Sequence, residues 1–168
     1  MTNVFTSRHF LLLALLLLIS ACESGSNTAT PLPNPELPEP LMVLQLVNQA
    51  RSQARECGNE RYESVPAVQW SEALAQAALL HSQDMDQQKF FSHTGSNGSN
   101  PGDRISTQDY AWLGWAENIA HGQTSAQQVM NSWLQSPGHC ANIMHPDMQA
   151  MGLGLYGNYW TQKFALPR

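Results

Sequence analysis

Apolar residues recur at helical spacing in two stretches of the chain. The first stretch begins at Leu41 and predicts a helix that runs to about Arg55. The second begins after Ser71, which we expect to act as the N-cap. Its apolar stripe consists of Leu74, Ala77, Ala78, His81 and Met85. Because His81 lies on this stripe, we expect a core histidine with a hydrogen-bond partner rather than a metal ligand.

Shorter segments show the patterns of strands. Residues 115–120 are short and half apolar, which predicts a strand or extended segment. In residues 151–155 apolar side chains alternate with glycine, and Gly157-Asn158 suits a hairpin turn before a return strand over residues 159–165. On the return strand Trp160, Gln162 and Phe164 share one face. Three or four helices around a small, partly antiparallel sheet predict an α/β sandwich of modest size.

Two further helices are predicted next to each other. Thr124 opens a capping box with the glutamine three residues later, which predicts a helix through Leu134. A second helix begins with Ser136 as N-cap and Pro137 as the first helical residue. His139 then lies near the positive end of the helix dipole. Since this disfavours imidazolium, we expect His139 to stay neutral, as an acceptor or metal ligand.

Residues 91–104 are rich in glycine, asparagine and serine, and a short helix is predicted to begin at Asn100-Pro101. The oxygen atoms of this segment resemble those of calcium-binding loops. However, Asp103 is its only acidic residue, and the spacing does not fit an EF-hand. We therefore expect a surface loop.

The N-terminus has the pattern of an exported lipoprotein. Residues 10–19 are an unbroken apolar run, too short to span a bilayer and typical of a signal-peptide core. Small residues precede Cys22, as in the bacterial lipoprotein cleavage box, so residues 1–21 are predicted to be a signal peptide and Cys22 the lipidation site. Residues 22–40 contain five prolines and little to bury, which predicts an extended tether before a single domain over residues 41–168.

The net charge and the cysteine content limit which partners and which bonds are expected. The chain has 13 acidic and 8 basic residues, a net charge of −5, which argues against nucleic acid and against a polybasic membrane surface. Apart from Cys22, the only cysteines are Cys57 and Cys140. In an exported protein, an isolated pair is most simply a disulfide.

Five separated motifs together resemble the CAP superfamily, which groups cysteine-rich secretory proteins, antigen 5 and pathogenesis-related plant proteins. The resemblance is to the bacterial branch and covers about residues 41–168. The motifs, in chain order, are Phe91-Ser92-His93-Thr94-Gly95, Ala116-Glu117-Asn118-Ile119-Ala120-His121-Gly122, Trp133-Leu134-Gln135-Ser136-Pro137-Gly138-His139, Gly152-Leu153-Gly154 and Tyr159-Trp160-Thr161-Gln162-Lys163-Phe164.

The resemblance implies an α-β-α sandwich of the CAP (SCP) type with a cleft where two histidines and two acidic residues meet, sometimes around a divalent metal. His93, Glu117 and His139 match three of these four cleft residues. Ser136 stands where eukaryotic members carry the second acid, so the complete set is not expected here. Cys140 directly after His139 resembles bacterial members in which this cysteine pairs with the one that matches Cys57 in Cys57-Gly58-Asn59-Glu60, so the resemblance implies a disulfide between Cys57 and Cys140.

His93 and His139 are suitable ligands for zinc or another divalent cation. Because a tight structural zinc site would need four protein ligands, we expect a weak or exchangeable ion, with Glu117 supporting a ligand or polarising a bound water. An alternative stays open, in which His93, Glu117 and His139 form a hydrogen-bonded network that locks loops to the sheet.

Three functions remain open at this point. The preferred one is a binding module for a lipid or cell-wall component, held in the bacterial cell envelope by the lipid anchor at Cys22 and monomeric. Tyr110 and Trp112 are candidates to line its site, whereas Trp115 is expected to pack in the core. The alternative is a metal-dependent hydrolase of peptide, ester or cell-wall material with Glu117 as its base. A purely structural role is the third.

Overall fold

The computed structural model describes residues 37–168, which contain five helices and six strands. The helices are α1 Glu39–Arg51, α2 Glu72–Gln88, α3 Pro101–Ser106, α4 Ala126–Gln135 and α5 Pro137–Ile143. The strands are β1 Arg55–Cys57, β2 Glu60–Tyr62, β3 Gln69–Trp70, β4 Trp112–His121, β5 Ala150–Tyr156 and β6 Tyr159–Pro167. The predicted signal peptide, Cys22 and residues 22–36 of the predicted tether lie outside the described residues.

The main sheet has four strands in the order β3-β5-β6-β4. Strand β3 runs parallel to β5, whereas β5, β6 and β4 are antiparallel neighbours. The turn between β5 and β6 contains Gly157 at φ +55°, a backbone conformation that glycine adopts without strain. The predicted hairpin and partly antiparallel sheet are confirmed. In addition, β1 and β2 form a small separate hairpin around the break predicted at Cys57-Gly58-Asn59.

Helices cover both faces of the main sheet. The larger core lies between the sheet and α1, α4 and α5, and includes Val47, Trp133, Met151, Trp160 and Phe164. A smaller core between the other face and α2 and α3 includes Leu74, Ile105 and Ala165. The α-β-α sandwich expected from the sequence is therefore confirmed.

Strand β5 lies unusually close to helix α2. A side chain at Gly152 would collide with the backbone of Leu74 and Ala75, and one at Gly154 with the backbone of Ala78 and Leu79. Glycine is thus required at both positions because the sheet and helix touch backbone to backbone. This close approach accounts for the Gly152-Leu153-Gly154 motif.

Three helix boundaries differ from the predictions. Helix α1 begins at Glu39, inside the predicted tether, and ends at Arg51 rather than near Arg55. The N-cap of α4 is Ser125, whose hydroxyl accepts from the amide of Gln128, one residue later than predicted. Helix α5 begins with Pro137 after Ser136 as expected, but the Ser136 side chain makes no capping hydrogen bond.

None of the helices in residues 37–168 is long and apolar enough to cross a bilayer.

Candidate functional site

Glu117 is the centre of a buried polar cluster on the α2 and α3 side of the sheet. Its side chain is 1% exposed and faces Lys163 on the neighbouring strand, directly opposite in the antiparallel register. The Lys163 ammonium donates to Oε2 of Glu117 at 2.5 Å. The guanidinium of Arg104, on α3, donates to both carboxylate oxygens at 3.2 and 3.0 Å. A buried carboxylate needs such partners because isolated burial of its charge is very costly.

These partners determine the ionisation of Glu117. Burial alone would raise the pKa of this carboxyl group. The hydrogen bond from His93 and the charges of Lys163 and Arg104 outweigh burial and lower the pKa to about 2. Glu117 is therefore ionised throughout the physiological range and has little tendency to accept a proton.

His81 borders the same cluster from helix α2. Its side chain is completely buried, and Nε2 donates to the carbonyl of Ser92 at 2.9 Å. Burial lowers the pKa of His81 to about 4, although the Glu117 carboxylate, 3.9 Å away, acts in the opposite direction. The predicted core histidine with a hydrogen-bond partner is confirmed. The hydrogen bond also fixes the neighbouring loop, since Ser92 directly precedes His93.

His93 connects the buried cluster to the surface. Its ring is about half exposed, and Nδ1 lies 2.8 Å from Oε1 of Glu117. Because an ionised carboxylate can only accept, Nδ1 carries a proton in this hydrogen bond, and Nε2 is the ring nitrogen that points away from Glu117. The carbonyl of His93 also accepts from Arg104 at 2.8 Å. Glu117 and Arg104 thus fix both the ring and the backbone of His93.

Residues 91–100 form the predicted surface loop, and Asn100 caps the short helix α3 in a reciprocal capping box with Asp103. This helix places Arg104 one residue after the capping aspartate. The cap therefore fixes the helix that carries one of the Glu117 partners.

His139 lies in the first turn of α5 and is half-buried. Burial lowers its pKa, and the charge of nearby His93 lowers it further. The expected neutral imidazole is thus supported, with burial rather than the helix dipole as the first cause. His93 and His139 lie near one another, while Glu117 lies beneath His93 in the interior and not at the surface.

Helix α5 is attached to the rest of the domain by a disulfide and by side-chain hydrogen bonds. The disulfide between Cys57 and Cys140 joins it to β1, as predicted. The Asn142 amide donates to the carbonyl of Glu117 at 3.2 Å and to the side chain of Asn118 at 2.8 Å. Asn118 in turn donates to the carbonyl of His139 at 3.2 Å. These hydrogen bonds give partners to polar groups along β4, which is an edge strand of the sheet, and they hold His139 in place.

A groove of about 400 Å³ opens beside His139, and we call it the His139 groove. Its apolar walls are Phe91, Ile119, Ala120 and Trp133. Its polar lining consists of His121, Gln123, Ser132, Ser136 and His139. Its volume and mixed lining are typical of small-molecule sites.

An aromatic cluster forms the rim of the His139 groove. The rings of His121 and Tyr159 are stacked with centroids 4.1 Å apart, and Phe91, which is 53% exposed, lies 6.3 Å from His121 and 6.4 Å from Tyr159. The sequence reasoning did not single out this cluster. The sequence carries no local signal for it, because His121 and Tyr159 meet only through the β4–β6 register.

The other aromatic candidates lie elsewhere. Tyr110 and Trp112 are half-buried and border a separate depression with Leu113 and Arg168. The expectation that Trp115 packs in the core is wrong, because this residue is 36% exposed. Its indole rests against Gly102, and it meets Trp112 edge to face on the surface.

The donor set limits what metal could be held. Among residues 37–168 there is no group of three or more histidine, cysteine, aspartate or glutamate side chains arranged to hold an ion. Glu117 is fully engaged by His93, Arg104 and Lys163, so it has no free oxygen for a cation. The residues present fit at most a weak ion held by His93 and His139.

Comparison with known proteins finds two similar proteins in Bacillus subtilis. The chain is 29% identical over 146 residues to the uncharacterized protein YkwD of Bacillus subtilis, which covers 86% of this chain and 53% of YkwD. It is also 29% identical over 97 residues to the uncharacterized membrane protein YlbC of the same organism, over 58% of this chain and 28% of YlbC. The chain therefore spans about half or less of the length of these curated relatives.

Solved structures agree with the fold. An extracellular protein containing an SCP domain from Bacillus anthracis superposes with a TM-score of 0.67 at 28% identity, over 76% of this chain and 40% of that one. An outer surface protein from Borrelia burgdorferi gives a TM-score of 0.57 at 21% identity, over 62% and 80% of the two chains, and supports the fold alone. Residues 44–165 match the profile of the cysteine-rich secretory protein family, CAP, and the chain belongs to that family.

Proposed function

We propose that this CAP protein is a ligand-binding module, anchored to the outside of a bacterial membrane, that binds a lipid or other envelope component in the His139 groove. The observation that carries the proposal is the groove itself, in which an aromatic and aliphatic wall faces imidazole and hydroxyl groups. Such a lining binds the apolar part of a ligand by burial and orients it through a few polar contacts.

The location outside the cytoplasm rests on independent features. The apolar run of residues 10–19 and Cys22 have the pattern of a lipoprotein leader. The disulfide between Cys57 and Cys140 suits an oxidising compartment. The related Bacillus anthracis protein is described as extracellular. Together these features support a domain that works in the cell envelope.

His93 and His139 are the residues that would hold a divalent cation such as zinc. A bound cation would add a Lewis-acidic point at the edge of the groove. Glu117 would act through His93, because its hydrogen bond to Nδ1 orients the ring and keeps the lone pair on Nε2. With two protein ligands, binding would be weak and exchangeable.

A hydrolase with Glu117 as general base is less well supported. Such a base should have a pKa near the working pH and reach the reacting water. Glu117 instead has a pKa of about 2, is 1% exposed and is paired with two cationic side chains. These properties suit a structural centre that positions His93.

The binding proposal is tested on residues 23–168, exported behind a heterologous leader and incubated with a lipid extract of bacterial envelopes. Native mass spectrometry should show a bound small molecule. Phe91→Ser, in the groove wall, should lose it, whereas Leu113→Ser should keep it, because Leu113 is similarly exposed but lies outside the groove. A clean apo mass for the unchanged protein, or equal loss in both variants, would overturn the proposal.

The metal proposal has its own test. Calorimetric titration with zinc should give heat that disappears in His93→Ala and in His139→Ala but persists in His145→Ala. His145 is a suitable control because its Nδ1 accepts from the amide of Asp147 in a different loop. Identical titrations for all four proteins would show that the two cleft histidines hold no ion.

A further inference from the structure

We propose that the domain has a second binding site, a polar pocket between α2, α3 and the surface loop, that takes an uncharged sugar residue. We call it the His81 pocket, and its volume is about 230 Å³. It shares no lining residue with the His139 groove. The inference therefore goes beyond the proposed function and does not depend on it.

Hydrogen bonds hold the surface loop in place as one wall of the His81 pocket. The Asp84 carboxylate, on α2, accepts from the amide and the hydroxyl of Ser96 at 2.9 and 2.5 Å. Arg104, on α3, donates to the carbonyl of Ser99 at 2.8 Å. All four of these residues line the pocket. Because both helices fix the loop, the pocket is largely formed before a ligand arrives.

Two buried polar atoms of the lining residues have no partner. Nδ1 of His81, whose side chain is fully buried, and Nε of Arg104 make no hydrogen bond within residues 37–168. Since Nε2 of His81 donates to the carbonyl of Ser92, Nδ1 of the neutral ring can only accept. Nε of Arg104 can only donate. Buried groups are costly to leave unpaired, so both atoms call for a partner inside the pocket.

A hydroxyl group has the chemistry that both atoms require. It accepts a hydrogen bond from Arg104 through a lone pair, and it donates its own proton to Nδ1 of His81. A carboxylate or phosphate oxygen could accept from Arg104 but has no proton for His81, and an ammonium group could only donate. The unpartnered pair therefore favours an uncharged, hydroxyl-bearing ligand.

The more exposed polar groups of the lining suit further hydroxyl groups. The side-chain carbonyl of Asn97 accepts from the amide of Ser99, which leaves its NH₂ group to donate to a ligand. Asp103 uses Oδ2 for the amide of Asn100, which leaves Oδ1 to accept. Neighbouring hydroxyls of a sugar ring, each of which donates and accepts, match this mixture of groups.

Charge and size narrow the ligand class to one sugar ring. Asp84 and Asp103 place two negative charges around the pocket, whereas the charge of Arg104 is compensated by Glu117, so an anion would be repelled. The pocket is smaller than the sites of about 300 to 1,000 Å³ that hold drug-sized ligands. Leu80, which is 44% exposed, offers apolar surface to the C–H groups of a ring.

The test follows the resonances of Arg104 Nε–H and His81 Nδ1 by NMR in ¹⁵N-labelled protein, residues 23–168. The uncharged probes are glucose, galactose and N-acetylglucosamine. Glucuronate is anionic, glucosamine is cationic, and cyclohexanol is a ring of similar size with a single hydroxyl. We expect at least one uncharged sugar to shift both resonances saturably and to bind at least about tenfold more tightly than the other three compounds.

Two outcomes would overturn the sugar site. If no uncharged sugar shifts either resonance, the pocket holds water alone. If glucuronate, glucosamine or cyclohexanol binds as tightly as the best sugar, the hydroxyl groups and the lack of charge do not determine binding.

Oligosaccharides distinguish two sources of the same chemistry. A linear trimer of the preferred sugar that shifts the same two resonances would assign the pocket to the end of a glycan chain. A trimer that leaves both resonances unchanged, while the single sugar shifts them, would assign the pocket to a free sugar. Either result supports a site for an uncharged sugar residue.

A pair of matched variants locates the ligand. Asn97→Asp keeps the carbonyl that accepts from Ser99 but replaces the donating NH₂ group with a charged acceptor, and should weaken sugar binding at least about fivefold. Asn131→Asp makes the same change on the exposed face of α4, where the side chain accepts from Gln127, and should alter binding less than about twofold. Equal weakening in both variants would contradict a sugar in the His81 pocket.

A third variant separates this site from the proposed function. Phe91→Ser, in the wall of the His139 groove, should leave sugar binding unchanged. Circular dichroism checks that all three variants fold. Loss of sugar binding in a folded Phe91→Ser variant would place the sugar in the His139 groove and overturn the second site.

Discussion

The Nζ atom of Lys163 lies 2.5 Å from Oε2 of Glu117, and the two side chains are 0% and 1% exposed. Neither residue has access to water, so each depends on the other for compensation of its charge. Arg104 adds to this compensation from helix α3, and His93 adds to it from the surface loop. The pair therefore links the sheet to the surface loop that carries His93.

Removing one member of this pair should be strongly destabilising. We expect Lys163→Met and Glu117→Gln each to lower the free energy of unfolding by about 3 to 5 kcal/mol, because each leaves a buried charge with too few partners. The double variant should cost clearly less than the sum of the two. Urea denaturation of all four proteins measures this double-mutant cycle.

Lys89→Met is the matched control for this cycle. Lys89 also pairs with a carboxylate, Asp86, but its side chain is 75% exposed. Its replacement should change stability by less than about 1 kcal/mol. Additive effects of Lys163→Met and Glu117→Gln would contradict a coupled pair.

Acid should weaken the domain first through His81. This buried histidine has a pKa of about 4 when folded, against 6.5 for an ordinary histidine. Between these two pH values the unfolded chain binds a proton at His81 and the folded protein does not. The free energy of unfolding therefore falls by about 3 kcal/mol as the pH drops from 6.5 to 4. Unfolding by urea at a series of pH values measures the slope.

Glu117 acts over a lower range. Its pKa of about 2 lies below the ordinary 4.5, so the stability it contributes is present above pH 4.5 and is lost towards pH 2. His81→Gln should flatten the dependence between pH 6.5 and 4 and leave this lower range intact. An unchanged slope in His81→Gln would exclude His81 as its source.

The elements with strong local patterns were predictable from the sequence. Helix α2 was predicted together with its Ser71 cap, whose hydroxyl accepts from the amide of Leu74. The β5–β6 hairpin followed from alternation and from Gly157-Asn158. Both depend on interactions within about 20 residues, which is why periodicity and turn chemistry were sufficient.

The partners of Glu117 were not predicted, because they depend on distant pairing. Lys163 is 46 residues away and faces Glu117 only through the β4–β6 register, and Arg104 comes from a separate short helix. A charged residue between apolar neighbours on a strand usually points to solvent. Here helix α2 covers that second face, so Lys163 is buried.

Arg51 is another buried charge that the sequence did not reveal. Its guanidinium is fully buried and donates only to backbone carbonyls, namely those of Pro66, Ile143, His145 and Met148 at 2.7 to 3.0 Å. It thereby joins the end of α1 to the end of α5 and to the segment that follows. A basic residue at a helix C-terminus ordinarily faces water, so its position in the sequence suggested no such role.

Replacing Arg51 should test this connection. Arg51→Lys retains a positive charge but cannot donate in four directions from a planar group, so we expect a loss of about 2 to 4 kcal/mol in unfolding free energy. Arg61→Lys, on an exposed side chain paired with Glu56 and Glu63, should leave the urea midpoint almost unchanged. Equal urea midpoints for the two variants would contradict the role of Arg51.

The disulfide between Cys57 and Cys140 should stabilise the whole domain and hold His139 in place. It closes a loop of 83 residues, for which the chain-entropy relation gives about 4 to 5 kcal/mol. We expect the Cys57→Ala/Cys140→Ala variant to unfold at a markedly lower urea concentration. Since helix α5 is also attached through Asn142, the folded variant should retain His139 near His93. Calorimetric titration with zinc at low temperature measures this retention, because a shared ion needs both imidazoles. Equal stability of this variant and of the unchanged protein would show that Asn142, Asn118 and core packing suffice to hold α5.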